Sequence, residues 1–144
     1  MNDYGRRVVV DLEFETLVGE TRRAIREEGL QVIARIDVRD HFWRELGHDF
    51  RQYILIDAWS SELALEALRH NLETGTILPT RFAIYELADG EGVVVAKPPF
   101  SEPGWRRDAP ALADMADREC ELVARILERI QHYTSKAIRE TVST

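Results

Sequence analysis

A chain of 144 residues fits one domain and leaves little room for two. Its 26 acidic and 19 basic residues give a formal net charge of −7, spread without any block of like charges, which speaks against the clustered basic face that a nucleic-acid partner needs. Hydrophobic residues at 44% and charged residues at 31% match ordinary globular usage, and the longest early apolar run, Val8-Val9-Val10, is far too short for a signal peptide or a membrane span.

Cys120 is the single cysteine and cannot form an internal disulfide. A cytoplasmic protein with no membrane partner is expected, with one domain whose core runs over about residues 6–140.

Taken in chain order, the β-branched residues Val8 to Val10 predict a first strand over 7–12. Leu17, Val18, Thr21, Ala24 and Ile25 recur at helical spacing and predict a helix over 14–28. Glu13 and Glu15 sit at its positive end and Gly29 stops it. Residues 30–38 are rich in Val and Ile and predict a second strand. One or two helical turns follow over 40–46, with Phe42 and Leu46 as the inward side and Gly47 as the stop.

Residues 51–59 contain Tyr53-Ile54-Leu55-Ile56 and predict a third, well-buried strand. Ser60 or Ser61 caps the next helix, which is expected to carry Leu63, Ala64, Ala67, Leu68 and Leu72 on one side and to end at Gly75. Strands over 81–87 and 92–97 flank Ala88-Asp89-Gly90-Glu91, the strongest hairpin signal in the chain. Pro98-Pro99 and Pro103-Gly104 make 98–109 an irregular connection.

Asp108 and Pro110 mark the start of a long helix over about 111–138, with Leu112, Met115, Leu122, Val123, Ile126, Leu127, Ile130 and Ile138 on one face and fraying from Val142. The resulting order, β-α-β-(short α)-β-α-β-β-α, predicts an α+β domain. Its mostly antiparallel five-stranded sheet is covered on one face by helices, including the long C-terminal one.

Several segments together resemble a known family. They are Val8-Val9-Val10-Asp11-Leu12-Glu13-Phe14 with Glu27-Glu28-Gly29, then Ile36-Asp37-Val38 with Glu45-Leu46-Gly47 and Asp49-Phe50. Leu55-Ile56 leading to Leu63-Ala64 and Glu66-Ala67-Leu68 is the third, and Gly75 with Leu78-Pro79 is the fourth. In order and spacing they resemble the family catalogued as domain of unknown function 302 over about residues 8–95, and more loosely over 108–112.

The resemblance implies a fold similar to the TATA-box-binding-protein-like class, one copy per chain, a homodimer, and no established activity. Many relatives carry a cysteine after the third strand, where Trp59 stands here, and another after the Leu-Pro, where Thr80 stands. Thiol chemistry in relatives is therefore not expected in this chain. Residues 98–109 also look longer than the family pattern.

Candidate sites are few. His41, Glu45 and His48 would share one helix face only if the helix continued through Gly47, so a solvated face is the expectation and no metal is assigned. Asp57, at the end of an apolar strand, suits a general base or an acceptor for the first N–H groups of the next helix. Trp59 is expected in the core, at a dimer contact or in a pocket wall.

Phe100, Trp105, Arg106 and Arg107 sit in the irregular connection, which Trp105 is expected to pin to its own domain; a dimer contact or a pocket lid is the alternative. Cys120 lies between Glu119 and Glu121, which disfavour a thiolate; His70 and His132 are expected at the surface. No phosphate loop, Cys-x-x-Cys or nucleophile elbow is present, and no cofactor is expected.

The favoured reading is a homodimeric, non-enzymatic module that binds a small apolar ligand or regulates a partner. Its ligand site, between the last helix and the sheet, would be lined by Tyr53, Asp57, Trp59, Phe82 and Trp105. The alternatives are an enzyme using Asp57, His41 and Glu45, or an interaction protein that uses 98–109 as its contact surface.

Overall fold

Three consecutive valines carry the chain into strand β1 (Arg6–Val10) of a computed structural model that describes residues 4–101 and 110–143, with side chains as far as Tyr133. Helix α1 (Phe14–Glu27) starts on Glu13, whose carboxylate accepts from the backbone N–H groups of Glu15 and Thr16 at 3.1 and 3.0 Å. Those two bonds, with one from the Thr16 hydroxyl, hold the Glu13 carboxyl below its ordinary range. Gly29, at φ +94°, ends the helix in a backbone conformation that costs glycine little.

The chain continues as β2 (Gln31–Asp37), α2 (Val38–Leu46), β3 (Tyr53–Trp59), α3 (Ser61–His70), a 3₁₀ turn (Leu72–Thr76), β4 (Thr80–Glu86) and β5 (Gly92–Lys97). A second 3₁₀ turn (Pro110–Leu112) leads into the long helix α4 (Ala113–Ser143).

Every strand pairing is antiparallel, in the spatial order β1-β5-β4-β3-β2. The α+β class, the five strands and the long final helix are as the sequence predicts. The β4–β5 hairpin closes through Leu87 N–H donating to the Glu91 carbonyl at 2.8 Å, with Gly90 at φ +90°. No helix among the described residues is long and apolar enough to cross a membrane.

Strand alternation divides the sheet into two faces. Val10, Ile54, Ile56, Ala58, Phe82, Ile84, Val94 and Ala96 share one, and α1 and α4 pack on it. The main core joins these residues to Phe14, Leu17, Val18 and Ile25 of α1 and to Val123, Ile126, Leu127 and Ile130 of α4. Each Val, Leu, Ile or Phe among them contributes roughly 1.5–3 kcal/mol by leaving water. Gly92 permits the close approach of α1, since a Cβ there would lie 2.4 Å from Leu17 Cδ2.

Glu28 staples the two helices by accepting from Nε of Arg125 at 3.1 Å and of Arg129 at 2.8 Å. A second, smaller cluster sits where α3 meets the start of α4; it contains Leu63, Ala64, Ala67, Leu78, Phe100, Leu112 and Ala116.

Several local expectations are corrected. Helix α2 starts at Val38 because the Asp37 carboxylate accepts from Asp40 N–H at 2.9 Å. It lies against strand β3 with no fully buried residue: Phe42 is half-buried, while Leu46 is 73% exposed and is not an inward residue. Helix α3 ends at His70, before Gly75. Asn71 then starts the 3₁₀ turn through its own side chain, and Leu72 is left 84% exposed. The long helix begins at Ala113, after the turn that holds Pro110, and persists through Ser143 where fraying is expected. Ile138 lies outside the described side chains.

Candidate functional site

On the second face of the sheet several residues stay half-exposed, although Val93 on it is fully buried. Register sets Ile36, Leu55, Ala83, Val95 and Arg7 in one row across all five strands. The middle of that row stays half-exposed, as a covered sheet face would not. A parallel row holds Tyr53, Tyr85, Val93 and Val9.

The Tyr53 and Tyr85 rings stack with centroids 5.2 Å apart, and Phe50 continues the aromatic line from Tyr53 to Phe42 on α2. Burial, and then the neighbouring Tyr85, raise the Tyr53 hydroxyl above its ordinary value.

The third row carries the charge. Asp57 pairs directly with Arg81 across β3 and β4, accepting from Nε at 2.8 Å and from Nη2 at 3.0 Å. This forked bond raises the Arg81 guanidinium further above its ordinary value. The Asp57 side chain is nearly buried while that of Arg81 is half-exposed. Arg81→Ala leaves the carboxylate desolvated and unpaired. Because water reaches the arginine side, a cost of about 1–2 kcal/mol is expected, read as a lower midpoint in urea unfolding. In the Asp57→Asn background the same change should cost less, since no charge is then stranded.

Asp57 does not serve helix α3. That helix N-terminus is served by Glu119, which accepts from Ser60 N–H at 2.8 Å, by Gln31, which accepts from Ser61 N–H at 2.9 Å, and by Ser60 Oγ, which accepts from Leu63 N–H at 3.3 Å. Glu119 is a site residue that sequence reasoning missed. It is only 1% exposed, and its second carboxylate oxygen accepts from the Thr80 hydroxyl at 3.1 Å. Burial raises its proton affinity, against the opposing pull of the two donors. The signal was present: residue 119 stands four after Met115 and four before Val123, inside the apolar stripe. Trp59 and Thr80, the positions matched to cysteines in relatives, both adjoin this corner; Trp59 is half-buried against the second cluster.

The structure separates the expected ligand-site residues. Phe82 is fully buried on the helix-covered face, where Val123, Ile126, Leu127 and Ile130 fill the space between α4 and the sheet. Tyr53 and Asp57 stand on the opposite face, and Trp59 closes one corner. Trp105, Arg106 and Arg107 lie outside the described residues. Phe100 is buried in the second cluster.

His41 and Glu45 are exposed on α2, and Gly47, at φ +61°, ends that helix before His48. Neither side chain converges with Asp57, so the acid–base combination has no common cleft. Among the described residues, no three His, Cys, Asp or Glu side chains are grouped to hold a metal. Cys120 is half-buried, and His70 and His132 are exposed. A groove of about 770 Å³ between α1 and α4 is lined by Arg23, Glu27, Glu28, Arg125 and Arg129. Those five side chains pair with one another across it.

No curated protein matches the chain. Among solved structures it is similar to the uncharacterized conserved protein DUF302 from Bacillus stearothermophilus, with a TM-score of 0.73 at 20% identity over 90% of this chain and 99% of that one. At that identity the likeness shows a shared fold. The family described as "Domain of unknown function DUF302" matches residues 6–130, which takes in the five described strands, α1 to α3 and α4 as far as Ile130. The chain therefore belongs to the DUF302 family.

Proposed function

We propose that this chain is a homodimeric, non-catalytic binding module whose working surface is the second sheet face together with the β2–α2 flank. One observation carries the reading: large apolar side chains stand in water on two consecutive elements. Trp43 is 61% and Leu46 73% exposed on α2, while Ile33 and Ile36 are exposed on the edge strand β2. Soluble monomers rarely leave such side chains grouped in water, and tryptophan is a frequent anchor of interfaces. Among the described residues β2 has no strand on its outer edge, which leaves backbone donors and acceptors beside them. A small apolar ligand would lie across Leu55, Ala83 and the Tyr53–Tyr85 stack, with the Asp57–Arg81 pair and Trp59 at its border.

Sedimentation of the wild-type chain at micromolar concentration is expected to give a species of twice the chain mass. Trp43→Asp with Leu46→Asp should return it to a monomer, with association weakened by about 100-fold or more. Native mass spectrometry of protein taken directly from cells reads a retained ligand as added mass. A wild-type chain that sediments as a monomer under these conditions, carrying no added mass, sinks the proposal.

A further inference from the structure

We propose that Glu119 is a proton-operated latch fixing helix α4 to the β3–α3 corner, tight when its carboxyl is protonated and slack when it is ionised. The carboxyl joins three elements at once. It projects from α4, accepts from the backbone N–H of Ser60 at the α3 N-cap, and accepts from the Thr80 hydroxyl on β4. In chain positions these partners lie 59 and 39 residues away, so the latch closes a tertiary corner and not a local turn.

Its surroundings are apolar. On α4 its neighbours one turn away are Met115, Ala116, Leu122 and Val123, and α3 faces the corner with Leu63, Ala64 and Ala67. The charged residues of those elements turn elsewhere. Glu62, Glu66 and Arg69 of α3 and Asp114, Arg118 and Glu121 of α4 are exposed, and Asp57 and Arg81 of β3 and β4 pair on the opposite face of the sheet. Asp117 and Cys120 flank it half-buried on α4, and among the described residues burial and the Ser60 and Thr80 donors set its proton affinity.

Both protonation states can be accommodated, but unequally. A neutral carboxyl accepts from Ser60 and can exchange donor and acceptor roles with the Thr80 hydroxyl. An anion keeps both bonds but carries a charge into an apolar corner where no described residue supplies a counter-ion. Proton affinity in the closed corner is therefore raised, and opening releases it toward the ordinary 4.5. Stability from this group is fully present below the open-state value and is lost as pH climbs through the closed-state value. The smaller second cluster, which holds α3, is the part that loosens, while the main core under α1 stays closed.

Carbon-detected NMR titration of the Glu119 carboxyl, with amide exchange of Ala64 and Asn71 in α3, tests this. Those amides donate within the helix to Ser60 and Ala67. The carboxyl is expected to titrate above 4.5. Exchange protection of α3, corrected for the intrinsic rate, should fall by up to about tenfold per pH unit between the open-state and closed-state values and then level off. Protection of β3 and β4 should not follow it.

Glu119→Gln mimics the neutral acid and should hold α3 protection flat across the same range. A carboxyl titrating at or below the ordinary value overturns the latch. So does a Glu119→Gln protein that keeps the wild-type slope, or a loss of protection shared by every strand. Should that variant not fold, the wild-type titration and exchange decide alone.

Discussion

Phe82→Ala is expected to destabilise the protein by about 3–5 kcal/mol, on the order of a 10 °C fall in melting temperature. The ring is fully buried between Ile56 and Ala96 in the sheet and faces the layer formed by α1 and α4. Removing it forfeits the transfer free energy of a whole aromatic side chain and leaves a cavity whose walls are regular elements with little freedom to collapse. Tyr53→Ala makes the contrast: the second tyrosine of its stack and its half-exposed position put its loss at about 1 kcal/mol. Urea unfolding of both variants, with unchanged denaturant slopes, reads the difference. If the two substitutions cost the same, the division of the sheet into a packed and an open face is wrong.

That contrast also shows where sequence reasoning stopped. The valine run, the Asp-Gly turn and the apolar stripe of the last helix each carry one local meaning, so strands, hairpin and helix could be read from them. The faces of the sheet could not. Tyr53-Ile54-Leu55-Ile56 is apolar at every position, and alternation is invisible in such a run. Tyr53 pairs with Tyr85 and Ile56 with Phe82, so Tyr53 and Phe82 point to opposite sides, a fact held only in the register between strands.

Asp57 was misread for a similar reason. A carboxylate just before a helix resembles a cap, while its partner Arg81 is 24 residues away. Helical spacing in α2 likewise showed which side was more apolar but not that only Phe42 would be partly covered while Leu46 stays in water. Glu119 differs, because an acid inside a stripe at four-residue spacing is readable in advance; its donors, Ser60 and Thr80, are not.

Gly5→Ala should cost roughly 2–5 kcal/mol, and its position tells why. Gly5 holds φ at +114°, a region that L side chains rarely adopt, and a Cβ there would lie 2.4 Å from the backbone carbonyl oxygen of Ala96. Neither obstacle can be relieved by a rotamer change, since the clashing atom belongs to strand β5. Either the glycine turn rotates or β1 lifts away from its neighbour at the Arg6–Ala96 pairing. Gly90→Ala separates the two causes: it has φ +90° but nothing within 4 Å of an added Cβ, so it meets backbone strain alone, about 1 kcal/mol. Urea unfolding should rank Gly5→Ala well below Gly90→Ala in stability, and faster amide exchange in the first variant should be concentrated in β1. Equal costs would place the whole penalty in the backbone angle and remove the close approach to Ala96 as a reason for glycine at the start of the sheet.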